Sequence, residues 1–401
     1  MTATVFRLRN FLLMIFGLAL SCGVAWLWWP PLTPREQFQR GLNAVARNNW
    51  REVLRSADRL KGRSEFASEE HLLRGIYWLK SNQPTSALKQ FGLVDPVGDV
   101  REPALLYAGE ALYRLDRLSE AMRLFATLAF EQPGHVDSHR WLAAIAYDLG
   151  DYNRSMDELG IVIRLAPSDY HPYVLKGQME FDLEQYRSSI EDYARAVAAN
   201  PPNDVLEEIL PALACAQMQN RDYSAALITL ALGPRTARSL ALQAECQSSL
   251  GNDASVRKLI ADAEAMDPEQ PDMLRLLGRL ELDSGRPEAA VAPLRSVLVR
   301  DPQDHETRYQ FSQALRLSGK AAEADAEALR SAQTLELKAR LAKLTQDAIA
   351  RPNDAVVREQ MAKLCDQLGK GQLAASWRKA AAACRQLHPN AAPEATTPAT
   401  R

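Results

Sequence analysis

Six prolines recur along the chain at a nearly constant distance. They are Pro133, Pro167, Pro201, Pro234, Pro268 and Pro302. Successive members lie 34, 34, 33, 34 and 34 residues apart. A constant spacing over six copies indicates a structural repeat, in which every copy forms the same small unit and stacks on the next one.

The stretch 102–133 shows what one unit contains. Two short segments each carry apolar residues at steps of three and four, which places those residues on one face of an α-helix. They are Leu105, Ala108, Leu112 and Leu115 in the first segment, and Ala121, Leu124, Phe125 and Leu128 in the second. A helix pair of this size cannot bury both apolar faces alone, so it requires the neighbouring copies.

These repeats resemble the tetratricopeptide repeat family, which has a small residue in the first helix, an alanine and an aromatic residue in the second, and then a proline. The matching residues include Gly109, Ala121, Phe125 and Pro133; Leu142, Gly150, Asp151, Tyr152 and Pro167; Gly177, Tyr186, Tyr193, Ala196 and Pro201; and Leu277, Gly278, Gly285, Ala290, Leu294 and Pro302. Earlier copies align through Gly41, Trp50 and Leu60, and through Gly75, Ala87 and Phe91. The resemblance implies an all-α, right-handed superhelical solenoid of about ten helix pairs over residues 34–388, in which each pair touches only its neighbours.

The N-terminus has a different character. Residues 11–29 form an uncharged apolar run, which as a helix would be roughly 28 Å long, close to the hydrocarbon thickness of a bilayer. Arg7 and Arg9 precede the run and favour a cytoplasmic N-terminus. We therefore expect a short cytoplasmic tail (1–9), a transmembrane signal-anchor helix (10–29), a linker (30–33), and repeats on the non-cytoplasmic side of a cell membrane.

Cleavage or lipidation of this segment is the alternative to a retained anchor. Small residues precede Cys22, as they do at processing sites. The apolar run nevertheless continues seven residues beyond Cys22, whereas a cleaved apolar core normally ends at its site. Under each alternative the repeats lie outside the cytoplasm.

Three places depart from the repeat rhythm. Around Pro211 and Cys215 the first helix is about three residues too long, and the second is cut short at Pro234. This is either a joint near 204–236 or one irregular repeat. An uninterrupted helix is predicted near 320–350, either packing on the last repeat or serving as a dimer or partner helix. The tail 389–401, of Ala, Pro and Thr, has the composition of a disordered segment.

No catalytic or nucleotide-binding motif is visible in the sequence, so we expect a protein that is not an enzyme, needs no cofactor and binds no metal. The strongest metal candidate is a group of polar residues in two adjacent repeats, His135, Asp137, His139, Asp169 and His171. They also lie at a turn and at helix starts, where polar caps and solvated side chains are expected.

In tetratricopeptide repeats the first helices line a groove that holds a peptide or partner helix. Alignment to that pattern gives groove positions in three consecutive repeats, namely Leu106, Glu110, Tyr113 and Arg114; Arg140, Ala144, Tyr147 and Asp148; and Val174, Gln178, Phe181 and Asp182. Six of these residues are expected to contact the partner. They are Tyr113, Arg114, Arg140, Tyr147, Gln178 and Phe181. Rings beside arginine and amide groups suit a protein-binding surface, although the rings could instead complete packing between repeats. Further along, Arg275, Arg279, Arg308 and Arg316 predict a basic lining, which favours an acidic partner segment over nucleic acid. The Lys/Asn arrangement with which family members clamp a C-terminal carboxylate is not visible.

The resulting expectation is a membrane-tethered scaffold or assembly factor that binds a partner protein in its groove. It has no nucleic acid or small-molecule partner, which agrees with a net charge of only −2. The alternative is a non-catalytic subunit of a cell-envelope enzyme, secretion or polysaccharide-export complex. A disulfide between Cys215 and Cys246 is conceivable outside the cytoplasm, but two buried free thiols fit their helical positions better.

Overall fold

A computed structural model of the 401-residue chain describes residues 32–387. This range contains twenty α-helices and a short 3₁₀ helix at Ser64–Phe66, and no β-strand occurs within it. The predicted tail 1–9, membrane helix 10–29 and C-terminal segment 389–401 lie outside the described residues. Within the described part, no helix is both long enough and apolar enough to span a bilayer.

The described part of the chain divides into two compact units, one ending at Leu115 and the other beginning at Asp116. The first unit contains α1 (Pro34–Ala46), α2 (Trp50–Leu60), α3 (Ala67–Lys80), α4 (Pro84–Phe91) and α5 (Arg101–Arg114). The second begins with α6 (Leu118–Glu131), α7 (Val136–Asp148), α8 (Tyr152–Leu165), α9 (His171–Asp182) and α10 (Tyr186–Ala198). It continues with α11 (Asn203–Gln219), α12 (Tyr223–Leu232), α13 (Ala237–Ser249), α14 (Asp253–Met266) and α15 (Pro271–Asp283), and ends with α16 (Pro287–Arg300), α17 (His305–Leu317), α18 (Ala321–Ala350), α19 (Ala355–Gln367) and α20 (Gly371–Leu387). The unit boundary therefore falls inside the stretch 102–133, whose two helices belong to different units.

A residue in the left-handed backbone region marks the turn inside each helix pair. Five of these residues lie 34 residues apart, at Asn48, Asn82, Asp116, Gly150 and Glu184. Later turns have Arg221, Gly251, Gly285, Gly319 and Gly369. Asn and Gly adopt this conformation at little cost, whereas Glu and Arg do so against their own preference. The turn geometry thus repeats more regularly than the residue type does.

Small first-helix residues let the two helices of a pair approach closely. A Cβ atom at Gly75 would lie 2.3 Å from Phe91, and one at Gly278 would lie 2.4 Å from Leu294. At Gly177 the ring of Tyr193 would be 3.1 Å away. The glycine and large-residue positions of the sequence pattern are therefore two halves of one packing contact.

The pair α11–α12 is irregular. Helix α11 has 17 residues and contains Pro211, while α12 has only 10 residues. Both helices lie within the second unit.

Helix α18 has 30 residues and packs on α17 and α19. Leu337, Leu341 and Leu344 are half-buried on it, and its most buried positions are small or hydroxyl-bearing, such as Ser331 and Ala348. In this unit the long helix is an extended second helix that connects the last two repeats.

The last helix pair packs back on the first helices of the second unit. Helix α20 contacts α6 and α7, and Trp377 of α20 lies against Gly150, whose added Cβ would be 2.7 Å from the indole ring. The buried Arg358 of α19 donates from Nε to the carbonyl oxygen of Leu149 at 2.6 Å. The expectation that each repeat touches only its neighbours is wrong here, because residues about 200 positions apart in sequence are in contact.

Candidate functional site

The accessible face of the first helices α7, α9, α11, α13, α15 and α17 is called the first-helix wall below. From α9 to α17 each of these helices contacts the next first helix directly, so their side chains form one continuous surface in the second unit. Three of the predicted groove residues with ring or amide groups lie on this wall. Tyr147 and Phe181 are half-buried and Gln178 is exposed.

Tyr147 has internal partners as well as an accessible edge. Its ring packs against Tyr152 with centroids 5.7 Å apart, and it borders the core cluster that contains Leu159 and Met179. Phe181 makes an edge-to-face contact with Tyr186 at 5.5 Å. Both predicted roles, wall residue and packing residue, are therefore compatible with where these rings lie.

Arg140 links two successive repeats. Its guanidinium group binds Asp137 at 2.6 Å and Asp169, at the end of the next repeat's turn, at 2.7 Å. Burial alone would raise the pKa of Asp169, but hydrogen bonds from His171 and Arg140 outweigh it and lower that pKa. Asp169 is thus held as a carboxylate that joins the two helices.

The same contacts account for the polar residues considered as metal ligands. Asp137 and Asp169 bind Arg140, and the His135 ring accepts a hydrogen bond from the backbone of Ser138 as a helix cap. His139 is buried with Glu158 at 2.6 Å. Within residues 32–387 no group of three or more His, Cys, Asp or Glu side chains is arranged to hold a metal ion.

The later part of the wall contains a cavity of about 300 Å³. Four first helices contribute to it through Cys215, Glu245, Arg275, Arg279 and Gln310, among others. Sequence alone did not indicate a depression here, since its lining comes from three different inter-repeat contacts.

The predicted basic character of this region is not present. Arg279 binds Glu245 through two hydrogen bonds of 2.8 and 3.0 Å, and Arg275 binds Asp272 at 2.7 Å and Asp304 at 3.1 Å. Arg308 is bound to Glu327, and Arg316 to Asp325. Each predicted cation is therefore neutralised by a carboxylate of the chain, which removes the basis for expecting an acidic partner segment.

The remaining two predicted groove residues belong to the first unit. Tyr113 is half-buried in α5. Arg114 is exposed but binds Glu110 at 2.7 Å and the carbonyl oxygen of Leu79 at 3.3 Å. Both residues belong to the first unit, whereas Arg140, Tyr147, Gln178 and Phe181 belong to the second.

The four cysteines in the described part of the chain are free thiols. Cys246 is fully buried, and burial raises its pKa to about 12. Cys215 is half-buried at the cavity, and burial raises its pKa as well. The disulfide considered from the sequence is not formed, and Cys22 lies outside the described residues.

Comparison with known proteins supports the repeat assignment. The tetratricopeptide repeat family profile matches residues 106–170 and 251–305. A solved tetratricopeptide repeat protein from Parabacteroides merdae is 13% identical, with a TM-score of 0.44, over 62% of this chain and 99% of that one. The C-terminal part of a repeat-containing protein from Cytophaga hutchinsonii is 14% identical, with a TM-score of 0.49, over 59% of this chain and 98% of that one. Comparison with curated protein sequences gave no significant match.

The chain therefore contains tetratricopeptide repeats, as the proline spacing indicated, and its residues 32–387 form an all-helical fold. Repeats of this class generally mediate protein–protein interactions.

Proposed function

We propose that this protein is a membrane-tethered interaction scaffold whose first-helix wall binds a segment of a partner protein. The tether is the apolar run 11–29, and the wall acts on the non-cytoplasmic side. The proposed mechanism is binding alone, through shape and hydrogen bonding, with no bond made or broken by the chain.

The observation that carries this proposal is the position of aromatic and amide side chains on consecutive first helices. Tyr147 and Phe181 are half-buried and keep accessible ring area, and Gln178, on the same helix as Phe181, is an exposed residue. Rings that are already packed lose little conformational freedom when a partner covers them, and an amide fixes the register of a bound backbone. A wall built from stacked helices is also formed before binding, which lowers the entropic cost of association.

A site-specific photocrosslinker tests the wall. We expect p-benzoylphenylalanine at position 147 or 181 of the full chain, in its native membrane, to give a discrete crosslinked product with one partner. The matched control places the same residue at Ala194, an exposed position on the second helix α10. Equal products from position 194, or none from the wall positions, would contradict the proposal.

The tether has a separate test. The full chain should stay with membranes after alkaline carbonate extraction, whereas a chain that starts at Pro34 should be released and keep its helical circular dichroism. Release of the full chain would refute the tether and leave the wall proposal standing.

A further inference from the structure

A hydrogen-bond chain on the first-helix wall ends at an exposed carboxylate. The hydroxyl of Tyr193 donates to Oε1 of Gln178 at 3.0 Å, and Nε2 of Gln178 donates to Oδ1 of Asp182 at 2.9 Å. Tyr193 is only 2% exposed, whereas Gln178 and Asp182 are exposed. A buried anchor thus holds the Asp182 carboxylate in a defined orientation at the accessible surface.

Three tyrosines lie near enough to Asp182 for its charge to influence their pKa values. Two of them, Tyr147 and Tyr152, border the core cluster that contains Met179 of the same helix α9. Burial is the main cause that raises the pKa values of Tyr147, Tyr152 and Tyr193, and the negative charge of Asp182 raises each of them further. Tyr152 and Tyr193 reach pKa values of about 12, so these hydroxyls stay protonated. These rings are not isolated from other charges, because the buried Arg358 guanidinium group lowers the pKa of Tyr152 and the Asp148 carboxylate raises the pKa of Tyr147.

Asp182 differs from the ion-paired carboxylates of the wall in its partners. Asp169 binds Arg140, Asp272 binds Arg275, and Glu245 binds Arg279. Among the residues that the structure describes, Asp182 has the neutral amide of Gln178 as its hydrogen-bond partner and no cation in an ion pair. Partial burial correspondingly raises the pKa of Asp182, because protein atoms replace part of its water.

We propose that Asp182, together with the rings of Tyr147 and Tyr152 and the amide of Gln178, is a subsite for one arginine or lysine side chain of the bound polypeptide. An uncompensated carboxylate beside aromatic faces attracts a cation in two ways, through a charge-assisted hydrogen bond and through cation–π contact. The apolar stem of an arginine or lysine also covers ring surface that would stay exposed to water beside a small ion. The subsite rests on the proposed function, since it gives the segment bound by the wall a required positive residue.

Selection from a random dodecapeptide phage library tests the subsite while the natural partner is still unidentified. The baits are the full chain, its Asp182→Asn variant and an Asp283→Asn control. Asp283 is the last residue of α15 as Asp182 is of α9, and it is also exposed. Peptides selected by the unmodified chain and by the control should share one position enriched in Arg or Lys. That enrichment should fall about tenfold with Asp182→Asn, the effect of losing one charge-assisted contact.

A binding cycle with one selected peptide completes the test. Replacing its conserved Arg or Lys by Gln should weaken binding about tenfold for the unmodified chain and leave binding to Asp182→Asn nearly unchanged, because the two substitutions remove the same contact. Circular dichroism checks that the variant is folded. Selected peptides without the cation, or equal enrichment with all three baits, would overturn the subsite and leave the wall as a binding surface. Selection of no peptide by the unmodified chain would contradict the wall and the subsite together.

Discussion

At the scale of single residues, the wall side chains hold the repeats together while they face solvent. Arg140 and Asp169 pair across one repeat junction, and Arg275 and Asp304 pair across another. In both cases an arginine of a first helix binds an acid that precedes the next first helix. A residue type that suggests partner recognition can therefore serve the solenoid itself.

Reversing the charge of Arg140 tests this structural role. Arg140→Glu brings a third carboxylate to Asp137 and Asp169, so we expect the ends of α7 and α9 to be destabilised by about 1 kcal/mol, limited by solvent screening. Amide hydrogen exchange should become faster in residues 136–148 and 171–182. The control is Arg187→Glu, at an exposed position of α10. Unchanged exchange in both helices would show that the ion pairs add nothing to stability.

At the scale of the helix pair, the backbone conformation of the turn repeats along the chain as the apolar faces do. The turn position has φ near +60° to +80° whether it carries Asn, Glu or Gly. A non-glycine residue there loses about 1 kcal/mol because its Cβ approaches the following carbonyl oxygen. The sequence tolerates this loss in some copies, which is why single repeats depart from the family pattern.

Gly285→Ala isolates that backbone effect. Gly285 has φ +69°, and nothing lies within 4 Å of an added Cβ, so the substitution should destabilise the α15–α16 pair by about 1 kcal/mol through backbone strain alone. Local hydrogen exchange in residues 271–300 measures it. Glu184→Gly, at the equivalent turn of α9–α10 with φ +60°, removes the same strain. It should leave the stability of that helix pair unchanged or increase it. If Gly285→Ala left hydrogen exchange in residues 271–300 unchanged, the turn conformation would not be maintained in solution.

At the scale of the whole second unit, the decisive contact is the one between its two ends. Trp377 on Gly150 and Arg358 on the Leu149 carbonyl join α19 and α20 to the beginning of the unit. A linear repeat array lacks such a contact, and its end repeats fray independently. We therefore expect the first and last repeats of this unit to open together.

Gly150→Ala tests whether the two ends are in contact, and Gly285→Ala serves as its reference. Both glycines occupy the turn position, with φ +70° and +69°, but a Cβ at Gly150 would lie 2.7 Å from Trp377. Gly150→Ala should therefore add an overpacking loss of about 1–3 kcal/mol to the backbone strain. It should also raise hydrogen exchange in 355–387 as well as in 136–165. Equal effects of the two substitutions, confined to their own repeats, would show that the ends are separate in solution.

The sequence by itself determined the repeat and its helices. Proline spacing and apolar periodicity are local properties, and a helix pair with two apolar faces has few ways to bury them except by stacking. The same local properties predicted the long α11, the short α12 and the uninterrupted α18, whereas the groove positions of Tyr147, Gln178 and Phe181 were taken from the resemblance to the repeat family and stay a prediction.

Only the tertiary structure decided where the array divides, what its ends contact and which charges remain unpaired. The division at Leu115, the packing of Trp377 on Gly150 and the neutralisation of Arg275, Arg279, Arg308 and Arg316 depend on residues from different elements. Small rotations between repeats accumulate along a solenoid, and no pattern within one repeat encodes their sum. Alignment to the repeat pattern placed Asp182 among the groove positions, but it became a candidate subsite only when its neighbours were in place.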